Sequence, residues 1–155
     1  MLSGRVSVEV DVDPQVLMRE LVDLESFYGK DNVERYDDKY LLKLTLKGVG
    51  TQYTYRIPVY VQVVGNKVYH VGMGEYDYLA SFELIGTSKG TLLIAYAQLK
   101  SGRRAWFMGA RLDLLFKELV DAAIGRALIK RGSTGYSSFE YQETRTANAE
   151  VERRY

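Results

Sequence analysis

His70, the only histidine of the 155-residue chain, is the side chain whose ordinary pKa lies nearest neutrality. The two-residue turn Gly65-Asn66 predicts a hairpin that pairs Val61 with His70 and places His70 on the apolar face of a sheet. The next turn, near Gly74, predicts the opposite face, and a bulge near Gly72 or Gly74 would reconcile the two registers. His70 is therefore either a candidate catalytic residue or a structural histidine whose ring nitrogens are satisfied.

Tyrosine is the second residue type that could do chemistry, because the chain contains 13 Tyr and 5 Phe. Tyr53 and Tyr55 alternate with polar residues, and every register places them on the apolar face of their strand. A buried tyrosine hydroxyl needs a hydrogen-bond partner. That partner is either a ligand carbonyl or carboxylate, or the protein backbone or water, so both residues are candidate ligand-binding residues.

A basic cluster, Lys100, Arg103 and Arg104, comes just before the longest predicted helix. A helix N-terminus offers free N–H groups and a partial positive charge, so the cluster could hold a phosphate or carboxylate headgroup. The alternative is a solvated basic loop. Trp106 and Phe107 follow and would either line or seal the entrance to a cavity.

Carboxylates occur close together in three places, but none of these pairs is predicted to lie in a cleft, so no catalytic pair is assigned. The chain has no Cys, which excludes disulfides, thiolate metal sites and iron–sulfur clusters, and we expect no metal and no cofactor. A formal net charge of +1 argues against a dedicated nucleic-acid-binding protein. No apolar run approaches the roughly 18 residues of an integral membrane segment. The opening residues resemble a strand and not a signal peptide, so we expect a soluble, cytoplasmic protein.

The elements that must position these residues begin with a strand over residues 5–12, whose valines share one face. Asp13-Pro14 is a typical helix start, and apolar residues at helical spacing then predict a helix of about four turns that ends at Gly29. A series of strands follows, predicted over residues 32–36, 40–47, 51–63, 67–73, 77–85 and 92–99.

Two of the predicted hairpins can be tested for consistency. A turn at residues 48–51 pairs Leu46 with Tyr53, and a turn at residues 87–90 pairs Leu84 with Leu93. Both registers place apolar residues on a single side. The sequence therefore predicts an α+β protein whose antiparallel sheet has one buried face.

The longest predicted element is a helix over residues 104–131, about 40 Å long, with one broad apolar stripe. It is long enough to cross a whole sheet. We expect one domain over residues 1–132 and a polar tail over residues 133–155 that is flexible or docked. Phe139 and Tyr141 alternate, which would allow a short additional strand in the tail.

The order of strand, helix, at least five antiparallel strands and a long terminal helix resembles the helix-grip fold of the START / Bet v 1-like superfamily, including the polyketide cyclase and carbon-monoxide-dehydrogenase-G-like group. The resemblance covers about residues 5–131 and depends on this order and on the strand–Asp13-Pro14–helix opening. The short helical region after the first strand and the polar tail depart from the family. The resemblance implies a curved sheet of six or seven strands wrapped around the long helix, with a cavity between them for an apolar or amphipathic small molecule.

Small and apolar residues on the inner face are the expected cavity lining. The predicted ligand-binding set is Tyr53, Tyr55, His70, Phe82, Ala95, Ala97, Met108, Leu112 and Phe116. The alanines either leave room for a ligand or let the long helix pack closely against the sheet.

Three functions are compatible with these observations. The first is binding or carrying of a lipid-like, acyl or polycyclic molecule. The second is a cyclase or dehydratase that uses His70 and tyrosines, and the third is an assembly or interaction module of the dehydrogenase-G-like type. We place binding first, because an enzyme without Cys and with one His would have few groups to work with. We expect a monomer or a weak homodimer with an apolar small-molecule ligand.

Overall fold

The computed structural model of the protein describes residues 1–100, 110–132 and 141–142. The strands are β1 (Leu2–Val10), β2 (Val33–Tyr36), β3 (Lys39–Gly48), β4 (Thr51–Val64), β5 (Lys67–Gly72), β6 (Asp77–Thr87), β7 (Gly90–Lys100) and β8 (Tyr141–Gln142). The helices are α1 (Pro14–Val22), α2 (Leu24–Tyr28) and α3 (Leu112–Gly132), with a 3₁₀ turn at Lys30–Asn32.

All strands belong to one antiparallel sheet with the order β2-β3-β4-β5-β6-β7-β1-β8. The sheet curves around the long C-terminal helix, which confirms the predicted α+β helix-grip arrangement. Within the described residues it has eight strands where six or seven were predicted, because the short strand β8 adds to the seven strand segments read from the sequence. The first strand of the chain lies inside the sheet, between β7 and β8.

The predicted hairpin registers are confirmed. Leu46 pairs with Tyr53 across β3 and β4, and Leu84 pairs with Leu93 across β6 and β7. Most inner residues of these strands are buried in a single hydrophobic core, as the apolar periodicity predicted.

The single four-turn helix predicted after β1 is instead two shorter helices. Asp13 begins α1 as expected, and its side chain accepts a hydrogen bond from the Gln15 N–H at 2.8 Å. Asp23 has extended backbone angles, and its side chain accepts from the Ser26 N–H at 3.2 Å to begin α2. An aspartate that caps the next turn competes with helix continuation, which the apolar spacing alone did not reveal.

The long helix begins at Leu112 and not at residue 104 as predicted. Ala110 and Arg111 lie outside the helix. The Arg111 guanidinium instead forms two hydrogen bonds with the Asp113 carboxylate, at 2.9 and 2.8 Å, in the first helical turn. The remaining residues of the predicted N-terminal extension, 104–109, lie outside the described residues.

Contacts of α3 with the rest of the fold are mainly with β1, α1, α2 and β7. α3 approaches β1 closely at Gly4, where an added Cβ would lie 2.8 Å from the Asp113 Cα. Glu20 of α1 is 1% exposed and joins α1 to α3 through ion pairs with Arg126, at 2.9 Å, and Lys130. The Ser26 hydroxyl of α2 donates to the same carboxylate at 3.0 Å.

The polar tail is described only at β8, which pairs Tyr141 with Val10 and Gln142 with Glu9 of β1. A short additional strand is therefore present near the predicted place. The rest of residues 133–155 lies outside the described residues, and the boundary at residue 132 stays a prediction. Within the described ranges, no helix has the length and apolarity that a membrane span requires.

Candidate functional site

His70 lies on the inner face of the sheet and is fully buried. It pairs with Val61 of β4, as the first hairpin predicted, and with Ala80 of β6. The register predicted from the turn near Gly74, which placed His70 on the opposite face, was wrong, because Val71 pairs with Leu79 and an odd number of residues remains in the β5–β6 connection. The connection therefore resolves the conflict between the two predicted registers, and β5 pairs regularly on both sides without a bulge.

Both ring nitrogens of His70 form hydrogen bonds in the interior. Nε2 lies 2.6 Å from the Leu21 carbonyl oxygen, and Nδ1 lies 2.8 Å from the Tyr28 hydroxyl. The Tyr28 hydroxyl lies 2.7 Å from the Tyr78 hydroxyl. These groups, from the end of α1, from α2, β5 and β6, form a continuous buried chain that we call the His70 chain.

The His70 chain is uncharged at neutral pH. Burial lowers the pKa of His70 to about 4, because the imidazolium loses its hydration, although the Leu21 carbonyl partly opposes this shift. Burial also raises the pKa of both tyrosine hydroxyls above their ordinary value, well above it for Tyr28. His70 is therefore a neutral, fully hydrogen-bonded histidine in this structure.

Aromatic rings pack against one side of the His70 chain. The Phe27 ring lies 5.3 Å from the Phe82 ring and 6.4 Å from the Phe116 ring, and Phe82 lies 4.9 Å from His70. These rings therefore fill the part of the interior between β6 and α3 that lies next to His70. Phe82 and Phe116, both predicted as ligand-binding residues, take part in this packing.

A second aromatic group, which we call the tyrosine group, lies near the β3–β4 hairpin and contains Tyr53, Tyr55 and Tyr76. The Tyr55 ring is 4.7 Å from Tyr53 and 5.3 Å from Tyr76, both edge to face. Burial, followed by hydrogen bonding with Tyr53, raises the pKa of Tyr76 to about 12.

Tyr55 is 1% exposed, as expected, but Tyr53 is 45% exposed. The prediction that both would be buried was wrong for Tyr53. It lies close to the hairpin turn, beyond the reach of β5, whose pairing with β4 ends at Val59.

Most of the predicted set converges in the core. The buried members are Tyr55, His70, Phe82, Ala95, Ala97, Leu112 and Phe116, each no more than 2% exposed. Lys100 is exposed at the end of β7, opposite Asp77. Met108, Arg103 and Arg104, together with Trp106 and Phe107, lie outside the described residues, so the predicted headgroup cluster stays a prediction.

Two residues of the His70 chain, Tyr28 and Tyr78, were not predicted as site residues. Tyr78 alternates with Ala80 and Phe82 along β6, so its strand periodicity already placed it on the inner face. Tyr28 ends the run of apolar residues at helical spacing that follows Asp13-Pro14, and this spacing by itself indicates only packing. The signal available in the sequence was the need of any buried hydroxyl for a partner.

Within the described part of the chain, no group of three or more His, Asp or Glu side chains is arranged to hold a metal ion. The groups brought together here are tyrosine hydroxyls, one imidazole and apolar side chains. Such a set can exchange hydrogen bonds with a neutral organic molecule and can surround it with apolar surface.

Solved structures resemble the whole fold at low sequence identity. A protein from Mesorhizobium loti has a TM-score of 0.56 and 13% identity, covering 83% of this chain and 97% of its own. A conserved protein from Geobacillus kaustophilus has a TM-score of 0.54 and 16% identity, covering 92% of this chain and 100% of its own. A START superfamily protein from Mycobacterium smegmatis has a TM-score of 0.51 and 15% identity, covering 85% of this chain and 97% of its own.

No protein-family model matches the sequence. No curated protein matches it either.

Proposed function

This chain has the START / Bet v 1-like helix-grip fold, and from that premise we propose that it binds or carries a small apolar or amphipathic molecule between the sheet and α3. The observation that carries the proposal is the His70 chain itself. It sets a few polar groups, all buried, among the apolar side chains of the sheet's inner face, and a few polar groups in an apolar lining are the usual composition of a small-molecule site.

The position of α3 supports the same proposal. The helix packs mainly against β1 and β7, while the inner face continues across β4 and β3 to Tyr55, Ile57 and Leu44. A molecule that lies beside the helix, over these strands, would contact apolar side chains and approach the tyrosine group.

The protonation state of His70 favours binding over the cyclase or dehydratase alternative. A general base at neutral pH needs a free nitrogen lone pair and a pKa near 7. The Nδ1 and Nε2 atoms of His70 are both engaged, and burial lowers its pKa to about 4. The described geometry therefore supports a carrier or sensor that orients its ligand without reacting with it.

Native mass spectrometry of the purified protein, followed by organic extraction, tests the proposal. We expect a bound small molecule that denaturation releases, and saturable binding of the apolar dye Nile red by the ligand-free protein. A protein that carries no such molecule and does not bind Nile red would contradict the proposal.

A matched pair of variants on β7 locates the site. Ala97→Leu adds volume on the inner face, where Ala97 is fully buried, and should weaken Nile red binding about tenfold or more. Ile94→Leu, on the outer face of the same strand, is the control and should bind as the unaltered protein does. Equal binding by both variants would place the dye elsewhere.

A further inference from the structure

We propose that the Tyr78 hydroxyl contacts the polar group of the bound molecule and selects a hydrogen-bond donor, an alcohol or phenol hydroxyl, over an ether, ketone or carboxylate. This inference rests on the proposed function and specifies the class of ligand. It follows from the direction of the hydrogen bonds along the His70 chain.

A backbone carbonyl fixes that direction. The Leu21 carbonyl oxygen can only accept, so His70 Nε2 carries the proton at this 2.6 Å contact. Neutral His70 then has no proton on Nδ1, which must accept from the Tyr28 hydroxyl at 2.8 Å. Tyr28 has then used its single proton.

Tyr78 is consequently the donor in its 2.7 Å contact with Tyr28. Its oxygen keeps a lone pair but has no second proton to offer. The described residues show no further hydrogen bond to this hydroxyl. A ligand that meets Tyr78 therefore has to supply the proton.

The location of Tyr78 is suitable for such a contact. Tyr78 follows Tyr76 of the tyrosine group by two residues along the chain, and on β6 Ala80 lies between it and Phe82, whose ring is packed against Phe27. It pairs with Leu99 of β7, the strand against which α3 lies. Tyr78 is 2% exposed, so a molecule would have to enter the interior beside α3 to reach its hydroxyl.

Close packing also fixes the strand that carries Tyr78. An added Cβ at Gly72 would lie 2.8 Å from the Tyr78 Cβ and 2.9 Å from the Ile57 Cγ2, so only glycine allows this approach. The orientation of Tyr78 therefore does not depend on the ligand. A carboxylate or ether would bring only acceptors to an oxygen whose proton is already used, and would lose its own hydration without compensation.

Three probes with the same chain and different polar groups test this selection: dodecanol, methyl dodecyl ether and dodecanoate, each measured by displacement of Nile red. One additional hydrogen bond predicts that dodecanol binds about fivefold more tightly than the ether. Tyr78→Phe should abolish this preference. Tyr28→Phe should remove it as well, because the proton of Tyr78 becomes available and the ether oxygen can then accept it as the alcohol oxygen does.

Tyr60→Phe is the control, because Tyr60 lies on the outer face of β4 and is 44% exposed. It should keep the preference for the alcohol. Equal affinity for the alcohol and the ether, or a preference that survives Tyr78→Phe, would overturn the inference and leave the proposed function intact. If Nile red binds but none of the probes displaces it, the inference is again overturned and the proposed function remains. If Nile red does not bind at all, the inference and the proposed function are both overturned.

The direction of the chain can be measured in the unaltered protein, so the inference stays testable if a variant fails to fold. The ¹⁵N spectrum of His70 should show a protonated Nε2 and an unprotonated Nδ1 at neutral pH. A proton on Nδ1 would reverse the chain and overturn the inference.

Discussion

At the scale of single residues, the environment of His70 matters more than its identity. A histidine alone on an apolar face is ambiguous between chemistry and structure. Here two hydrogen bonds satisfy its ring, and burial lowers its pKa to about 4. The residue therefore contributes an oriented neutral imidazole, and with it a dependence of stability on pH.

The first prediction concerns that dependence. In the unfolded chain a histidine binds a proton near pH 6.5, whereas folded His70 does so only near pH 4. The unfolded state therefore binds more protons in this window, and the free energy of unfolding falls as the pH drops from 6.5 to 4, by about 3 kcal/mol in total. Urea unfolding at several pH values measures it.

His70→Gln is the matched control for this effect, because the carboxylates of the protein titrate equally in both proteins. The variant should lose less stability than the unaltered protein between pH 6.5 and 4. Parallel pH profiles of the two proteins would show that His70 is not the group responsible.

The second prediction concerns Tyr28, whose hydroxyl both donates to His70 and accepts from Tyr78. Tyr28→Phe leaves two buried polar groups without this partner, and we expect a loss of about 2–4 kcal/mol in the free energy of unfolding. Tyr60→Phe, at an exposed position, should change it by less than about 0.5 kcal/mol. Urea unfolding of both variants checks this, and equal stabilities would contradict the described chain.

The sequence could predict part of this site. Strand alternation placed Tyr55, Phe82 and the alanines correctly on the inner face, because that face has a period of two residues. It could not reveal the bond between His70 and Tyr28, since these residues lie on separate elements and only the tertiary structure determines their distance. The same limit applies to Tyr53, whose exposure depends on where β5 ends.

At the scale of elements, Glu20 joins three helices through its buried carboxylate. Burial raises its pKa, but hydrogen bonds from Lys130, Arg126 and Ser26 outweigh that effect and hold the pKa below its ordinary value. The carboxylate is therefore ionised at neutral pH and stabilises the position of α3 against α1 and α2.

A third prediction follows for Glu20→Gln, which removes the charge from this carboxylate. We expect a loss of about 2 kcal/mol in the free energy of unfolding, less than for a fully buried pair because Lys130 and Arg126 can regain water. Glu25→Gln, at an exposed position of α2, is the control. The difference between the two variants should shrink as the pH falls and Glu20 becomes protonated, and a difference independent of pH would count against this account.

A fourth prediction compares two glycines of the β1–α3 pair. Gly4→Ala brings a Cβ to 2.8 Å from the Asp113 backbone, so α3 must shift, and we expect a cost of about 1–3 kcal/mol. At Gly125, inside α3, an added Cβ meets nothing within 4 Å, so Gly125→Ala should stabilise the helix by about 0.5–1 kcal/mol. Thermal unfolding distinguishes them, and a shift of the same sign in both would refute the packing described.

Elements were predicted best where periodicity and turn chemistry agreed. The hairpins at residues 48–51 and 87–90 have the predicted registers because one apolar face and one short turn determine each of them. The boundaries of the helices were predicted less well. Asp23 ends one helix and begins another, and Arg111, which lies outside α3, bonds to Asp113 in its first turn. Both effects depend on local side-chain hydrogen bonds.

At the scale of the whole molecule, the sheet determines which parts of the chain must meet. β1 pairs with β7 along its whole length, from Leu2 opposite Leu99 to Val10 opposite Thr91. α3 then packs over this pair. The helix-grip arrangement is thus closed by contacts between segments far apart in the chain, whereas the hairpins from β3 through β7 join strands that follow one another.

This closure has a kinetic consequence. During synthesis β1 has no partner strand until β7 has emerged, so its apolar face stays exposed while the local hairpins can already form. Pairing over such a separation requires a costly loop closure, and we expect refolding in milliseconds to seconds. In stopped-flow experiments Val8→Ala in β1 should mainly speed unfolding, whereas Leu44→Ala in the local β3–β4 hairpin should also slow refolding. The reverse pattern would mean that the two distant ends of the chain meet first.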